Sequence, residues 1–144
     1  MTHFLCRACG ARLTADLRPV TDADRAAAPT VRPEEPTPSV PVGTFGMDPE
    51  PFGAPWVPGP SAGVRVAGGP AGCVVVHPAE ALAVRRHHDG YRLAGCCGRD
   101  GMQGPNLLCD ACGAEVGTLR DDCWVDESGV WLDPGAVVAG PTLP

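Results

Sequence analysis

The sequence predicts a mainly β fold of small antiparallel sheets carrying a long Pro-rich insertion, and three observations predict it. Two stretches at opposite ends nearly repeat each other: Leu5-Cys6-Arg7-Ala8-Cys9-Gly10-Ala11-Arg12-Leu13 and Leu108-Cys109-Asp110-Ala111-Cys112-Gly113-Ala114-Glu115-Val116. Short apolar runs, of which Cys73-Val74-Val75-Val76 is the clearest, are bounded by turn residues. Among 144 residues, 19 are Gly and 17 are Pro, which break helices and favour short elements with many turns.

The repeat carries the chemistry. Two residues between cysteines let both sulfurs point to one side of a tight turn, and the following Gly can take positive φ so that the chain curls back. N–H groups in such a turn can face the sulfurs and offset their charge. One knuckle supplies two thiolates, whereas a structural tetrahedral Zn²⁺ site takes four. Cys6, Cys9, Cys109 and Cys112 therefore form a complete ligand set, with no open position for a substrate. The long gap is no obstacle, because loop-closure entropy grows only with the logarithm of length. The competing readings are buried thiols, local disulfides or a redox pair. A disulfide across two residues closes too small a loop to stabilise much, and Gly after the second Cys opens a helix poorly.

Taken in order, Ala11–Leu17 reads as the strand that completes a short hairpin. Residues 19–41 read as a flexible Pro-rich insertion: Thr21–Ala28 is expected to form a helical turn capped by Thr21 or Asp22, and Thr30–Pro41 an extended tether. Residues 42–60 hold Phe45, Phe52 and Trp56, too aromatic for a free linker, and are expected to pack on the domain. Cys73–Val76 reads as a buried strand. Pro78–Arg86 reads as a short helix with Pro in its first turn, and Tyr91–Ala94 as a short strand. Asp126-Glu127-Ser128-Gly129 reads as a hairpin turn between Asp122–Val125 and Val130–Leu132. The whole of 1–144 is then one domain, pinned by zinc.

Charge and composition narrow the function. The formal net charge is −6, which argues against nucleic acid as a partner. The one locally basic region, Arg85–Arg99 with His87 and His88, reads as a solvated face. No apolar run approaches a membrane span, and the residues before Cys6 do not read as a signal peptide. Together with the knuckles this points to a reducing cytoplasm. The chain has no Lys or Ile and one Asn, a pattern that points to a GC-rich genome such as an actinobacterial one. No Gly-x-Ser-x-Gly, phosphate loop or His-Glu-x-x-His is present, so the sequence favours a non-enzymatic protein. The alternative is a thiol-based redox protein or enzyme using Cys96, Cys97 or Cys123.

Two Cys-x-x-Cys knuckles at opposite ends of a small β-rich chain resemble the β-tent group, which includes Yippee-like proteins and the cereblon ligand-binding domain. Phe4–Leu13 and Leu107–Val116 carry the resemblance. It implies two antiparallel sheets joined at an apex by zinc, and a small-ligand cage of aromatic residues, for which Trp56, Trp124 and Trp131 are the candidates. Glu115-Val116-Gly117-Thr118 departs from the Leu-Gly-Trp that follows the second knuckle in that group. Rubredoxin-like zinc ribbons share the same knuckles, and the pattern is also similar to small zinc proteins of actinobacteria. The expected partner is a protein or small molecule.

Overall fold

A computed structural model describes residues 1–27 and 36–141. It is mainly β. The strands are β1 (Phe4–Cys6), β2 (Arg18–Pro19), β3 (Thr37–Pro38), β4 (Thr44–Asp48), β5 (Trp56–Pro58), β6 (Arg65–Ala67), β7 (Cys73–Val76), β8 (Val84–Arg86), β9 (Leu107–Cys109), β10 (Glu115–Arg120), β11 (Glu127–Leu132) and β12 (Val137–Ala139); the helix α1 spans Asp22–Ala26. The main sheet runs β2-β4-β7-β11-β10-β9-β8, with β3 beside the first half of β11. Two ribbons, β1-β12 and β5-β6, complete the framework.

The core lies where β1 and β12 cover one face of the main sheet. Phe4, Leu13, Leu17, Val74, Val76, Leu107, Val116, Val130, Leu132 and Val137 are buried there together. The central strands also bury part of their other face, where Cys73, Val75 and Trp131 pack with Val40. That double burial explains why Cys73–Val76 has no polar alternation: every one of its side chains is buried. The aromatic loop contributes to both layers. Phe45 meets Phe4 edge-on at 5.2 Å, and Phe52 stacks on Trp131 at 4.6 Å. Asn106, fully buried, donates to the Leu119 carbonyl and accepts from the Leu119 N–H, so its polar side chain is satisfied within the core.

Pro19 and Pro38 of the insertion occupy positions that need no donor. In a parallel pair only alternate residues bond to a given neighbour. Arg18 and Val20 donate to the Gly43 and Phe45 carbonyls, with Pro19 between them. Thr37 and Ser39 donate to the Asp126 and Ser128 carbonyls, with Pro38 between them. The 19–41 stretch is thus bound to the sheet at both described ends rather than being flexible throughout; residues 28–35, which include the first half of the expected Thr30–Pro41 tether, lie outside the described residues. Thr21 caps α1 in a capping box with Asp24, and Arg18 grips Asp24 through two bonds of 2.7 and 2.8 Å.

Three local expectations are corrected. Pro78–Arg86 is not a helix: a 3₁₀ turn at Pro78–Glu80 gives way to β8. Helix propensity is a weak bias, and pairing of Val84–Arg86 with Leu107–Cys109 overrides it. Tyr91–Ala94 is not a strand, because Asp89 accepts the Tyr91 N–H and winds Gly90–Leu93 into a 3₁₀ turn. The hairpin turn lies earlier than Asp126–Gly129. Glu127 and Ser128 are already paired with β3, and Gly129 with Arg120, so residues 121–126 form the connection.

Candidate metal centre

The two knuckles adopt the same backbone. Gly10 and Gly113 both have φ of 78°. Each donates its N–H to the carbonyl of the first cysteine, Gly10 to Cys6 and Gly113 to Cys109, at 2.8 Å. The N–H of each first cysteine donates to the following Ala, Cys6 to Ala11 and Cys109 to Ala114, again at 2.8 Å.

A third strand steadies each knuckle from outside. Cys6 lies opposite Val137 of β12, and Cys109 opposite Val84 of β8. The residue after each first cysteine donates beyond its own turn, Arg7 to the Ala136 carbonyl and Asp110 to the Ala83 carbonyl. Ala83 takes φ of 51°, a left-handed conformation that costs an L-residue energy, and its carbonyl is the one that holds Asp110. Arg7 and Arg85 add side-chain bonds: Arg7 to the Val137 carbonyl at 3.0 Å, Arg85 to the Asp110 carbonyl at 2.8 Å. The result is a pseudo-two-fold arrangement with the four thiols at its centre.

The sulfurs of Cys6, Cys9, Cys109 and Cys112 all lie within 4.8 Å of one another. Cys6 Sγ is 3.7 Å from Cys112 Sγ, and Cys9 Sγ is 3.6 Å from Cys109 Sγ. The first cysteine of each knuckle is buried and the second exposed, so each close contact joins a buried sulfur to an exposed one. Bonds of ~2.3 Å to a tetrahedral ion place its ligands ~3.8 Å apart, close to the spacing found. A disulfide needs ~2.05 Å, so these four are not bridged. Four sulfurs and no oxygen suit a soft or borderline ion rather than a hard one such as Mg²⁺ or Ca²⁺. The tetra-cysteine group can hold a metal ion.

Crowding shapes the acidity of the thiols. The Ala11 N–H favours ionisation of Cys9, but burial and the Cys109, Cys112 and Cys6 thiols together push it up to about 12. For Cys109, burial opposes ionisation, and the N–H groups of Cys112 and Ala111 outweigh it, holding the thiol below its ordinary value. A cation at the centre removes the conflict by compensating the thiolates it binds.

Both knuckle glycines face open space or a movable side chain. A Cβ at Gly10 would meet nothing within 4 Å, and one at Gly113 only Arg85 at 3.2 Å. Gly10→Ala and Gly113→Ala are each expected to cost about 1–2 kcal/mol through left-handed strain alone. Melting of the metal-loaded variants checks this; two unchanged melting temperatures would show that the turns tolerate a side chain.

The tryptophans do not form a cage. Trp131 is a core residue, 7% exposed, stacked on Phe52 and donating Nε1 to Asp48 Oδ2 at 3.2 Å. Trp56 sits on the β5-β6 ribbon and donates Nε1 to the Met102 carbonyl at 2.8 Å. Trp124 is 80% exposed on the 121–126 loop. The physical reason is the strand register: Trp131 points to the opposite face from Val130 and Leu132, and Trp124 belongs to no strand. A cavity of about 180 Å³ borders Trp131, Phe52 and Cys73, without Trp56 or Trp124.

Three arginines of the basic region make internal contacts, while Arg86 and His88 are exposed. Arg92 bonds Glu115 at 2.9 Å and the Pro105 carbonyl at 3.0 Å, Arg99 lies 3.6 Å from Asp121, and Arg85 holds the second knuckle.

The remaining cysteines separate into three kinds. Cys73 is buried, and burial, with Asp133 and Asp48 nearby, pushes its thiol up to about 12. Cys97 and Cys123 are joined by a disulfide, a pairing that residue spacing did not reveal, and Cys96 is free and exposed. Asp122, between them and 2% exposed, was passed over in the sequence. Its carboxyl is held below the ordinary carboxylate range by the N–H groups of Cys97 and Cys96, against burial, with the Cys123 and Gly98 N–H groups adding to the effect.

No protein-family model, characterised protein or solved structure matches the chain. Among the described residues no helix is long and apolar enough to cross a membrane.

Proposed function

We propose that the chain is a non-enzymatic zinc protein of the bacterial cytoplasm, in which Zn²⁺ on Cys6, Cys9, Cys109 and Cys112 is structural and the domain it closes presents a surface to a protein or small-molecule partner. The supporting observation is the convergence of four sulfurs, from two knuckles of matching backbone, at the spacing of a tetrahedral site. All four positions are filled by protein, so the ion has no place for substrate or water and acts as a cross-link. It joins the β1-β12 ribbon to the β8-β9-β10 end of the main sheet, elements a hundred residues apart in the chain. Zn²⁺ is favoured over Fe because a permanent cross-link needs no redox chemistry. Trp124, the most exposed large apolar side chain described, marks the 121–126 loop as the surface offered to a partner.

Metal analysis tests the reading. Protein purified without a metal-binding tag is expected to hold one equivalent of zinc and to lose its cooperative melt when a strong chelator removes it. Iron in place of zinc, or a melt indifferent to chelation, would count against it.

A further inference from the structure

A second sulfur site lies away from the tetra-cysteine cluster. Cys97, in the turn after Gly95, is bridged to Cys123 in the 121–126 loop, with Cα atoms 6.0 Å apart. Both residues are exposed, as is Cys96. The two segments also stay docked through bonds that do not involve the bridge. Asp122 accepts the N–H groups of Cys96, Cys97 and Cys123 at 3.1, 2.9 and 2.8 Å. Asp121 accepts the Arg99 N–H at 2.7 Å, and the Asp121 and Asp122 N–H groups donate to the Arg99 carbonyl at 2.9 and 3.0 Å. An exposed bridge whose flanking segments are already joined by five other hydrogen bonds can open and close without unfolding the domain. Accessible disulfides of this kind are the exchangeable ones, whereas protected ones serve as staples.

We propose that the Cys97–Cys123 pair is a reversible dithiol–disulfide exchange site that accepts two electrons from a dithiol donor. A donor thiolate attacks Cys123 Sγ. The Cys97–Cys123 bond breaks, a mixed disulfide forms between donor and Cys123, and the electron pair leaves on Cys97 Sγ. The Cys123 N–H donates to the Cys97 sulfur at 3.0 Å and favours charge there, while the Asp122 carboxylate, 3.1 Å from Cys97 Sγ, opposes it, so the departing Cys97 sulfur is driven to take up a proton. Cys97 then takes a proton from solvent, and its S–H can donate to Asp122 Oδ1, 3.1 Å away. The donor's second thiolate attacks its own sulfur in the mixed disulfide, closes the donor's ring and frees Cys123, which takes a second proton. The pair gains two electrons and two protons, and the donor loses the same. Of the other thiols, Cys73 is buried and the four knuckle thiols face one another, which leaves the free, exposed Cys96 as the one that the Cys96→Ser variant must separate from the pair. The consequence falls on Trp124, the neighbour of Cys123, whose loop loses its covalent tether when the pair is reduced.

Full-length zinc-loaded protein equilibrated in buffers of varied reduced-to-oxidised dithiothreitol, then alkylated and mapped by mass spectrometry, tests this. Cys97 and Cys123 are expected to pass together from bridged to reduced, and to return when the buffer is reversed, with zinc content unchanged. Tryptophan emission is expected to follow the same transition and to stop following it in Trp124→Phe. Cys96→Ser should leave the transition in place, and Cys97→Ser or Cys123→Ser should remove it. Since the wild type supplies the main measurement, a variant that fails to fold does not block the test. A bridge that resists reduction until denaturant unfolds the chain would overturn the proposal as a staple. A pair found reduced in every buffer, or protected from alkylation by a second equivalent of metal, would overturn it as well. Zinc at the knuckles is read separately, so its absence would strike the structural-zinc reading and leave this one standing.

Discussion

Cys109→Ser is expected to release the metal and leave most of the protein unfolded. Cys109 is fully buried at the end of β9, paired with Val84 of β8 and 3.6 Å from Cys9 across the cluster. Its loss removes the ligand that ties the second knuckle to the sheet. Structural zinc in small domains contributes about 10–16 kcal/mol of apparent binding free energy, while a whole domain is stable by only about 5–15 kcal/mol. A third of the metal term, about 3–5 kcal/mol, already matches the low end of that margin. Cys6→Ser should behave alike, because the pseudo-two-fold gives it the same place in the first knuckle. Zinc content and circular-dichroism melts of both variants, with exposed Cys96→Ser as the control, decide the matter. Zinc retained at one equivalent with a melting temperature within a few degrees of wild type would show that these sulfurs do not bind a structural ion.

The second large effect concerns the tryptophans. Trp131→Ala should destabilise the protein by about 3–5 kcal/mol, the range for removing a buried large aromatic. It would leave Phe52 without its stacking partner, Asp48 Oδ2 without the Trp131 donor and a gap between the sheet and the aromatic loop. At roughly 3–4 °C per kcal/mol for a chain of this size, the melt should fall by about 10–20 °C. Trp124→Ala, at a residue 80% exposed, should stay within about 0.5 kcal/mol of wild type. Paired thermal melts check both. The reverse order, with Trp124 the costly one, would mean that the 121–126 loop packs against the domain and that Trp131 fills no core. A pull-down with a partner, once one is found, should show the opposite ranking if the exposed loop is the contact surface.

Individual elements show where local sequence sufficed. The knuckles were legible because their geometry is local: two sulfurs, a spacer and a Gly with positive φ close a turn within six residues, and doing so twice supplies four ligands. A helical start at Thr21 or Asp22 was legible for the same reason, and the structure places the cap at Thr21. Cys73–Val76 was legible as a strand because a fully buried strand must be apolar at every position. Pro78–Arg86 was not legible, because its conformation is set by pairing with β9, more than twenty residues later. The prolines at 19 and 38 read as breaks in structure, yet each lies at a place in a parallel pair where no donor is required, which depends on a partner strand the local sequence does not specify.

By itself, then, the sequence determined a mainly β chain with four metal-competent cysteines, since residue type, short-range spacing and turn chemistry act over a few residues. Only the tertiary structure decided that the four sulfurs meet, that Trp131 is core while Trp124 stands in solvent, and that Cys97 pairs with Cys123 across Asp122. Each of these depends on which strands become neighbours and in what register. A shift of one residue exchanges the two faces of a strand, and no local pattern records the distance between residues a hundred positions apart.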